Sequence, residues 1–245
     1  LNFTEIKPCP IIEAVAEVRF ERFQHMPAAA LLGYFMNMFQ DKFPNINTLP
    51  ITQLPEEIRI HDNNFRYNPW YQLENTDVGI MVGAEQFAIY TKNTYVGWTS
   101  FFAEISNVLD KIMNDNKVVK QVTRLGLKYV DRFDNNIFEE SNITLKLGND
   151  LITSDNTVFR TQLNFENELV GVVQLLNNAN IQKDNQVQNN VSIVDIDVYS
   201  ELSENITSDA IKKLFEEAHK HQKELFMKVV GENYLIKNGF EIIKE

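Results

Sequence analysis

Cysteine is almost missing from this sequence. One residue, Cys9, stands among 245, so no disulfide can form within the chain. With no signal peptide visible, a cytosolic address is expected. The first residue is Leu1, so a missing or processed native N-terminus is expected as well. Glycine is scarce, with nine residues, and none of the glycine-built motifs is present. There is no Gly-x-Gly-x-x-Gly, no Gly-Lys-Ser/Thr and no Gly-x-Ser-x-Gly elbow. Cys-x-x-Cys and His-Glu-x-x-His are absent too, which removes the commonest zinc arrangements. No apolar run comes near the ~20 residues of a membrane helix, so no membrane association is expected. Positive charge is in deficit: 23 Lys and Arg against 34 Asp and Glu give a formal net charge of −11. Such a surface repels nucleic acid unless a local patch overrides the mean. The basic clusters, Lys117/Lys120/Arg124/Lys128 and Lys212/Lys213, are short and interrupted by apolar residues. Nucleic acid is therefore not expected as a partner.

What remains is an ordinary globular composition, 44% apolar and 23% charged, rich in Phe. The length suits one large domain or two closely packed parts. Ile11 to Phe20 alternates with period two: Ile12, Ala14, Ala16, Val18 and Phe20 on one face, Glu13, Val15, Glu17 and Arg19 on the other. Pro27 opens a helix whose stripe is Leu31, Leu32, Phe35, Met36, Met38 and Phe39. Three prolines between residues 44 and 57 predict a loop or edge strand. Ile58 to Ile60, Phe65 to Glu74, Val78 to Val82 and Phe87 to Thr91 are predicted as strands of a meander, with turns at Asp62-Asn63-Asn64 and Asn75-Thr76-Asp77. A second helix begins near Trp98.

Val118 to Phe133 is predicted as a strand, with Leu125, Leu127, Tyr129, Asp131 and Phe133 on one face and Arg124, Gly126, Lys128, Val130 and Arg132 on the other. Ile143 to Leu147, Val158 to Phe165, Leu169 to Leu176 and Ser192 to Tyr199 follow as strands. The Asn/Gln-rich residues 177–190 are expected to form a long hairpin loop. A final helix starts near Ser208, an expected N-cap, with Ile211, Leu214, Phe215, Ala218, Leu225, Phe226 and Val229 inward. The expected fold class is α+β: antiparallel sheets with three long amphipathic helices, arranged as two similar meander-plus-helix halves. Their expected spans are residues 1–136 and 137–245, closely packed or merged into one domain.

The polar strand faces carry the candidate chemistry. Glu13, Glu17, Arg19, Arg124, Lys128 and Arg132 would make a sheet face of alternating sign if their strands are neighbours. Such a face either pairs its own charges or lines a groove for an anionic ligand. The Glu-x-Glu-x-Lys opening of triphosphate tunnel enzymes is not matched, because Val15 interrupts the spacing. Asp195 and Asp197 share a strand face, a pattern that holds Mg²⁺ or Mn²⁺ in some sites and merely meets solvent or basic neighbours in most. His219 and His221 point about 200° apart on a helix and cannot chelate one metal. His219 is a candidate pocket residue beside Glu216 or Lys223, and otherwise a half-buried histidine. Trp70, Tyr71, Tyr95 and Trp98 lie near turns as core rims or interface anchors. No cofactor is expected.

Three separated segments resemble a sporadically distributed bacterial protein family of about this length. The first is Cys9-Pro10-Ile11-Ile12-Glu13-Ala14-Val15-Ala16-Glu17-Val18-Arg19-Phe20, similar to the family's opening Pro-Pro-Ile-x-Glu-Ala-Val-x-Glu-Ile-Arg-Phe with Cys9 in place of the first Pro. The second is Tyr95-Val96-Gly97-Trp98-Thr99-Ser100-Phe101. The third is Arg124-Leu125-Gly126-Leu127-Lys128-Tyr129-Val130-Asp131-Arg132-Phe133, where Lys128 and Asp131 replace the family's Arg and Asn. Asp195-Ile196-Asp197 and Ala218-His219 with Phe226 resemble its later marks. The resemblance implies no activity, since the family has no assigned function. Its patchy distribution implies accessory genes, such as phage-defence or toxin–antitoxin neighbourhoods.

Absence of a catalytic constellation, an acidic surface and aromatic-rich turns together predict a non-enzymatic interaction or regulatory protein. Its expected partner is another protein, of basic character if charge complementarity guides it. A homodimer is compatible with the sequence, and no feature demands one. The alternative expectation is an enzyme or sensor for a phosphorylated small molecule, using Arg124, Lys128 and Arg132 for the anion and Asp195 and Asp197 for a divalent ion. The two differ in whether the charged faces enclose a cavity or pair off flat.

Overall fold

A computed structural model describes residues 3–23, 25–114, 118–152, 156–183 and 186–244. Lys117, counted above among the basic residues, lies outside them. The strands are β1 (Phe3–Lys7), β2 (Ile11–Arg22), β3 (Asn45–Thr48), β4 (Tyr71–Glu74), β5 (Val78–Val82), β6 (Gln86–Thr91), β7 (Val119–Phe133), β8 (Lys146–Leu147), β9 (Asp150–Leu151), β10 (Val158–Asn164), β11 (Val170–Lys183), β12 (Gln186–Glu201) and β13 (Glu241–Lys244). The helices are α1 (Ala28–Phe39), α2 (Glu56–His61), α3 (Trp98–Met113), α4 (Ile137–Glu140), α5 (Ser208–Val229) and α6 (Glu232–Lys237), with a 3₁₀ turn at Pro50–Gln53. The fold is α+β. Its large antiparallel sheet runs β10-β11-β12-β7-β2-β6-β5-β4-β3, and two small sheets pair β1 with β13 and β8 with β9. Among the described residues no helix is long and apolar enough to cross a membrane.

Contacts group the chain into two units, each drawn from separate stretches of sequence. One comprises Leu1–Glu13, Lys128–Val198 and Glu217–Glu245, the other Ala14–Leu127 and Tyr199–Glu216. Residues 136 and 137, the expected division, both fall in the first unit.

In the second unit the alternation of β2 does what period two demands. Ala14, Ala16, Val18 and Phe20 are all buried, and β6 lies alongside with Val18 opposite Phe87 and Ala16 opposite Ile89. Helix α1 seats Phe35 against this surface, its ring edge-on to both Phe20 and Phe87, each at 6.4 Å. Three aromatic rings in mutual contact explain why a Phe-rich sequence needs few long aliphatic runs here. Gly79 of β5 lies beneath the Tyr90 ring: a Cβ there would fall 2.4 Å from Tyr90 Cζ.

In the first unit Phe133, at the end of β7, is the aromatic centre. It meets Phe226 of α5 at 6.3 Å, Tyr234 of α6 at 5.4 Å and Phe240 at 5.5 Å. The alternation of β7 placed Tyr129, Asp131 and Phe133 on one face, and all three are buried.

Several expectations are corrected. Ile58 to Ile60 belongs to helix α2, not a strand. Pro55 occupies its N-cap position, Glu56 and Glu57 its first turn, and Arg59 and His61 its last, an order that complements the helix dipole. Of Phe65 to Glu74 only Tyr71–Glu74 is strand, and of Ile143 to Leu147 only Lys146–Leu147. The polar residues 177–190 are not a loop. Apart from 184 and 185, which lie outside the described residues, they extend β11 and β12. Asn178 and Asn190 take φ of 58° and 62° within these strands, a backbone region that Asn tolerates better than most residues. The cap of α5 is Thr207, whose hydroxyl accepts from the Ala210 N–H at 3.2 Å. Ser208 instead donates to Asp110 at 2.8 Å.

Candidate functional site

Strands β2 and β7 carry their charges at matching steps. In the second unit Lys120 bonds Glu21 at 2.8 Å, and Arg124 bonds Glu17 at 2.8 Å. In the first unit, one four-residue step along each strand, Lys128 Nζ lies 3.4 Å from Glu13. Opposite steps along the two strands are what an antiparallel pair imposes.

Each basic residue of the set has further partners in its own unit. Arg124 lies over the Tyr199 ring at 4.5 Å, and its Nε is 3.4 Å from Glu201. Lys128 also reaches Asp195 at 3.5 Å. Arg132 bonds Asp134, two residues on. Arg19 donates from Nε to the same Glu17 oxygen that Arg124 uses, at 2.6 Å.

Electrostatics follow from this pairing. Burial pulls Lys128 toward neutrality, but Asp195 and Glu13 outweigh it and hold the ammonium above its ordinary range. Burial pushes the Asp195 carboxyl up, and Lys128 only partly offsets that. Asp197 is half-buried on the same strand. Among the described residues no group of three or more His, Cys, Asp or Glu side chains could hold a metal ion.

His219 of α5 is about five-sixths of a turn from Gln222, which donates to the Ile196 carbonyl on β12. Its Nδ1 lies 3.2 Å from the Tyr129 hydroxyl. Burial, helped by the Lys223 charge, drives its pKa down to about 3. Against an unfolded value of about 6.5, the unfolded chain takes up a proton that the folded chain refuses as pH falls through that interval. Stability is therefore lost on acidification between about 6.5 and about 3. Relative to the unaltered chain, His219→Gln is expected to gain stability as pH falls from about 6.5 toward about 3 in thermal melts. An unchanged slope would mean the imidazole is not buried in its neutral form. His221, the other histidine, stacks on Phe165 with centroids 4.0 Å apart.

The aromatics divide by burial. Trp70 is 2% exposed and lies under the Arg59 guanidinium, 3.7 Å from its carbon, so it is not available as a surface anchor. Tyr71 is half-buried on β4. Tyr95 packs edge-on to Phe101 at 6.1 Å, while Trp98 stacks on Phe102 at 5.0 Å and its indole N–H reaches Glu216 at 3.3 Å. Lys212 of α5, counted above in a basic cluster, is held by Asp110 at 2.6 Å.

Gly126 is buried in β7 between Arg124 and Lys128 in sequence. Gly126→Val forces a branched side chain into this place, and a loss of over ~1 kcal/mol is expected in a urea melt. A neutral result would show that the strand face has room there.

Sequence reasoning did not single out Arg22, Arg59, Arg66 or Tyr67, which surround Arg19 and Trp70, nor the burial of Asp131. Alternation did put Asp131 on the apolar face, and that was the available signal. No protein-family model matches the chain, and no curated protein does.

Proposed function

We propose that this chain is a non-enzymatic protein-interaction or regulatory module, of the sporadic bacterial family whose motifs it shares, encoded in an accessory locus of defence or toxin–antitoxin type. One observation carries the reading: Arg124, Lys128 and Arg132, the cations a phosphate site would need, are each held by carboxylates of their own strands or neighbours. The more exposed of these pairs, such as Arg132 with Asp134, contribute about 0–1 kcal/mol each. They neutralise a sheet surface and do not prepare it for an anion. The excess of acidic groups elsewhere favours a partner with basic character.

The test is native mass spectrometry of the chain purified gently from its own host, followed by titration of the purified components. A stoichiometric protein partner that rebinds saturably is the expected result. A retained nucleotide, phosphorylated metabolite or divalent ion that disappears on Arg124→Ala or Asp195→Asn would overturn the proposal in favour of a ligand site on that strand face.

A further inference from the structure

The arginines around Tyr67 differ from the paired strand charges. Arg19 of β2 places its guanidinium carbon 4.6 Å from the Tyr67 ring centroid, and Arg66 places its own at 5.3 Å. Each is fixed by one edge only: Nε of Arg19 donates to Glu17, and Nε of Arg66 donates to Glu85. The terminal nitrogens of both meet no acceptor among the described residues. A guanidinium held by Nε and by an aromatic face, with its fork open, is preorganised for a planar or tetrahedral oxyanion.

Charge points the same way. Glu85 also faces Arg22, 3.8 Å from its Nε, and Glu17 is already shared with Arg124. Glu21 is engaged by Lys120. Arg19, Arg22 and Arg66 are thus left with less than one carboxylate each, on a chain whose net charge is −11. Three buried donors in the same region also lack an acceptor: Arg22 Nε, Trp70 Nε1 and Gln86 Nε2. Gln86 stands opposite Arg19 in the β2–β6 register. Its Cγ closes on Gly83, where an added Cβ would also meet the carbonyl of Asn68, the neighbour of Tyr67. An unpaired buried donor pays its full desolvation cost, and proteins rarely leave several together.

We propose that Arg19 and Arg66, set around the Tyr67 ring, form with Arg22 beside Glu85 a binding site for a phosphate group. The site does not involve Lys128 or Arg132, touches Arg124 only through the shared Glu17 oxygen, and does not depend on the protein-partner reading. The phosphate is supplied either as the free ion or as an ester whose ring or chain lies along Tyr67.

Isothermal titration of the full chain at low ionic strength, with inorganic phosphate and with phenyl phosphate as probes, tests it. One saturable site is expected, weakened about tenfold or more by Arg19→Gln or Arg66→Gln and less by Arg66→Lys, which keeps charge but loses the fork. Equal binding of the two probes assigns the site to the free ion, and tighter phenyl phosphate assigns it to an ester. Should the variants fail to fold, arginine modification of the unaltered chain by phenylglyoxal serves instead, with phosphate expected to protect Arg19 and Arg66. Absence of saturable binding by both probes, binding unaffected by either glutamine variant, or protection mapping elsewhere would overturn the proposal.

Discussion

Phe133→Ala is expected to cost about 3–5 kcal/mol, the range for truncating a buried aromatic residue. The side chain is 2% exposed and touches rings from three other parts of the first unit: Phe226, Tyr234 and Phe240. Its removal leaves a cavity that no single neighbour can fill, because each of those rings is anchored on a different segment. A loss of this size is a large share of the ~5–15 kcal/mol that holds a typical domain together. Urea unfolding followed by tyrosine and tryptophan fluorescence reads the change. Phe133→Leu, which keeps most of the volume, should recover the greater part of it. A cost for the alanine variant below about 1 kcal/mol would show that the four rings do not form a packing centre.

Asp131→Asn is expected to do the opposite and stabilise the chain by about 1–3 kcal/mol near neutral pH. Asp131 is 2% exposed on the apolar face of β7. Burial raises its pKa well above the ordinary value, and the negative charge of Asp195 adds to the effect. No cation or hydrogen-bond donor reaches it among the described residues. The folded chain therefore binds this proton more tightly than the unfolded chain does, and stability falls as pH rises from about 4 through the raised value. Asparagine has no such proton to lose, so its advantage should grow with pH across that window and then level off. Melts of both proteins in parallel from acid to neutral pH check this. A destabilised Asn variant would mean that the carboxylate serves a group bound to the protein.

The slope contributed by Asp131 is opposite to that of His219, whose stability contribution is lost on acidification. Over the mildly acid range where both act, the two partly cancel. The unaltered chain should thus look less sensitive to pH than either single variant.

Much of the fold was legible because one face of most strands is buried. Alternation in β2 and β7 located Ala14, Ala16, Val18 and Phe20, and Leu125, Leu127, Tyr129, Asp131 and Phe133, since a half-buried sheet leaves no other place for them, but it put the buried Gly126 on the charged face. Where that constraint lapses, so does the signal. The ribbon formed by the ends of β11 and β12 is polar along its length, and composition alone could not separate it from a loop. Ile58-Arg59-Ile60 alternates over only three residues, too few to distinguish a strand from the single helical turns of α2. The charged face was visible as a set of residues, but its partners depend on register, which the sequence does not display. The arginine cluster escaped notice for a related reason. Arg66 and Tyr67 lie in an irregular segment whose sequence predicts a strand, and only the folded chain brings them to Arg19.

Pairing of β1 with β13 sets Phe3 opposite Lys244 and Lys7 opposite Glu241. During synthesis β1 leaves the ribosome before every other described strand, and its partner leaves last. The β5–β6 hairpin can close as soon as it emerges, whereas β1 must wait with Phe3 and Ile6 uncovered, both of which are buried in the finished fold. Closing so long a loop costs only slowly more entropy with length, but such distant pairing slows the approach to the native state. Sealing of β1 therefore comes late: until β13 arrives, Phe3 and Ile6 stay on display, where chaperones and proteases can reach them.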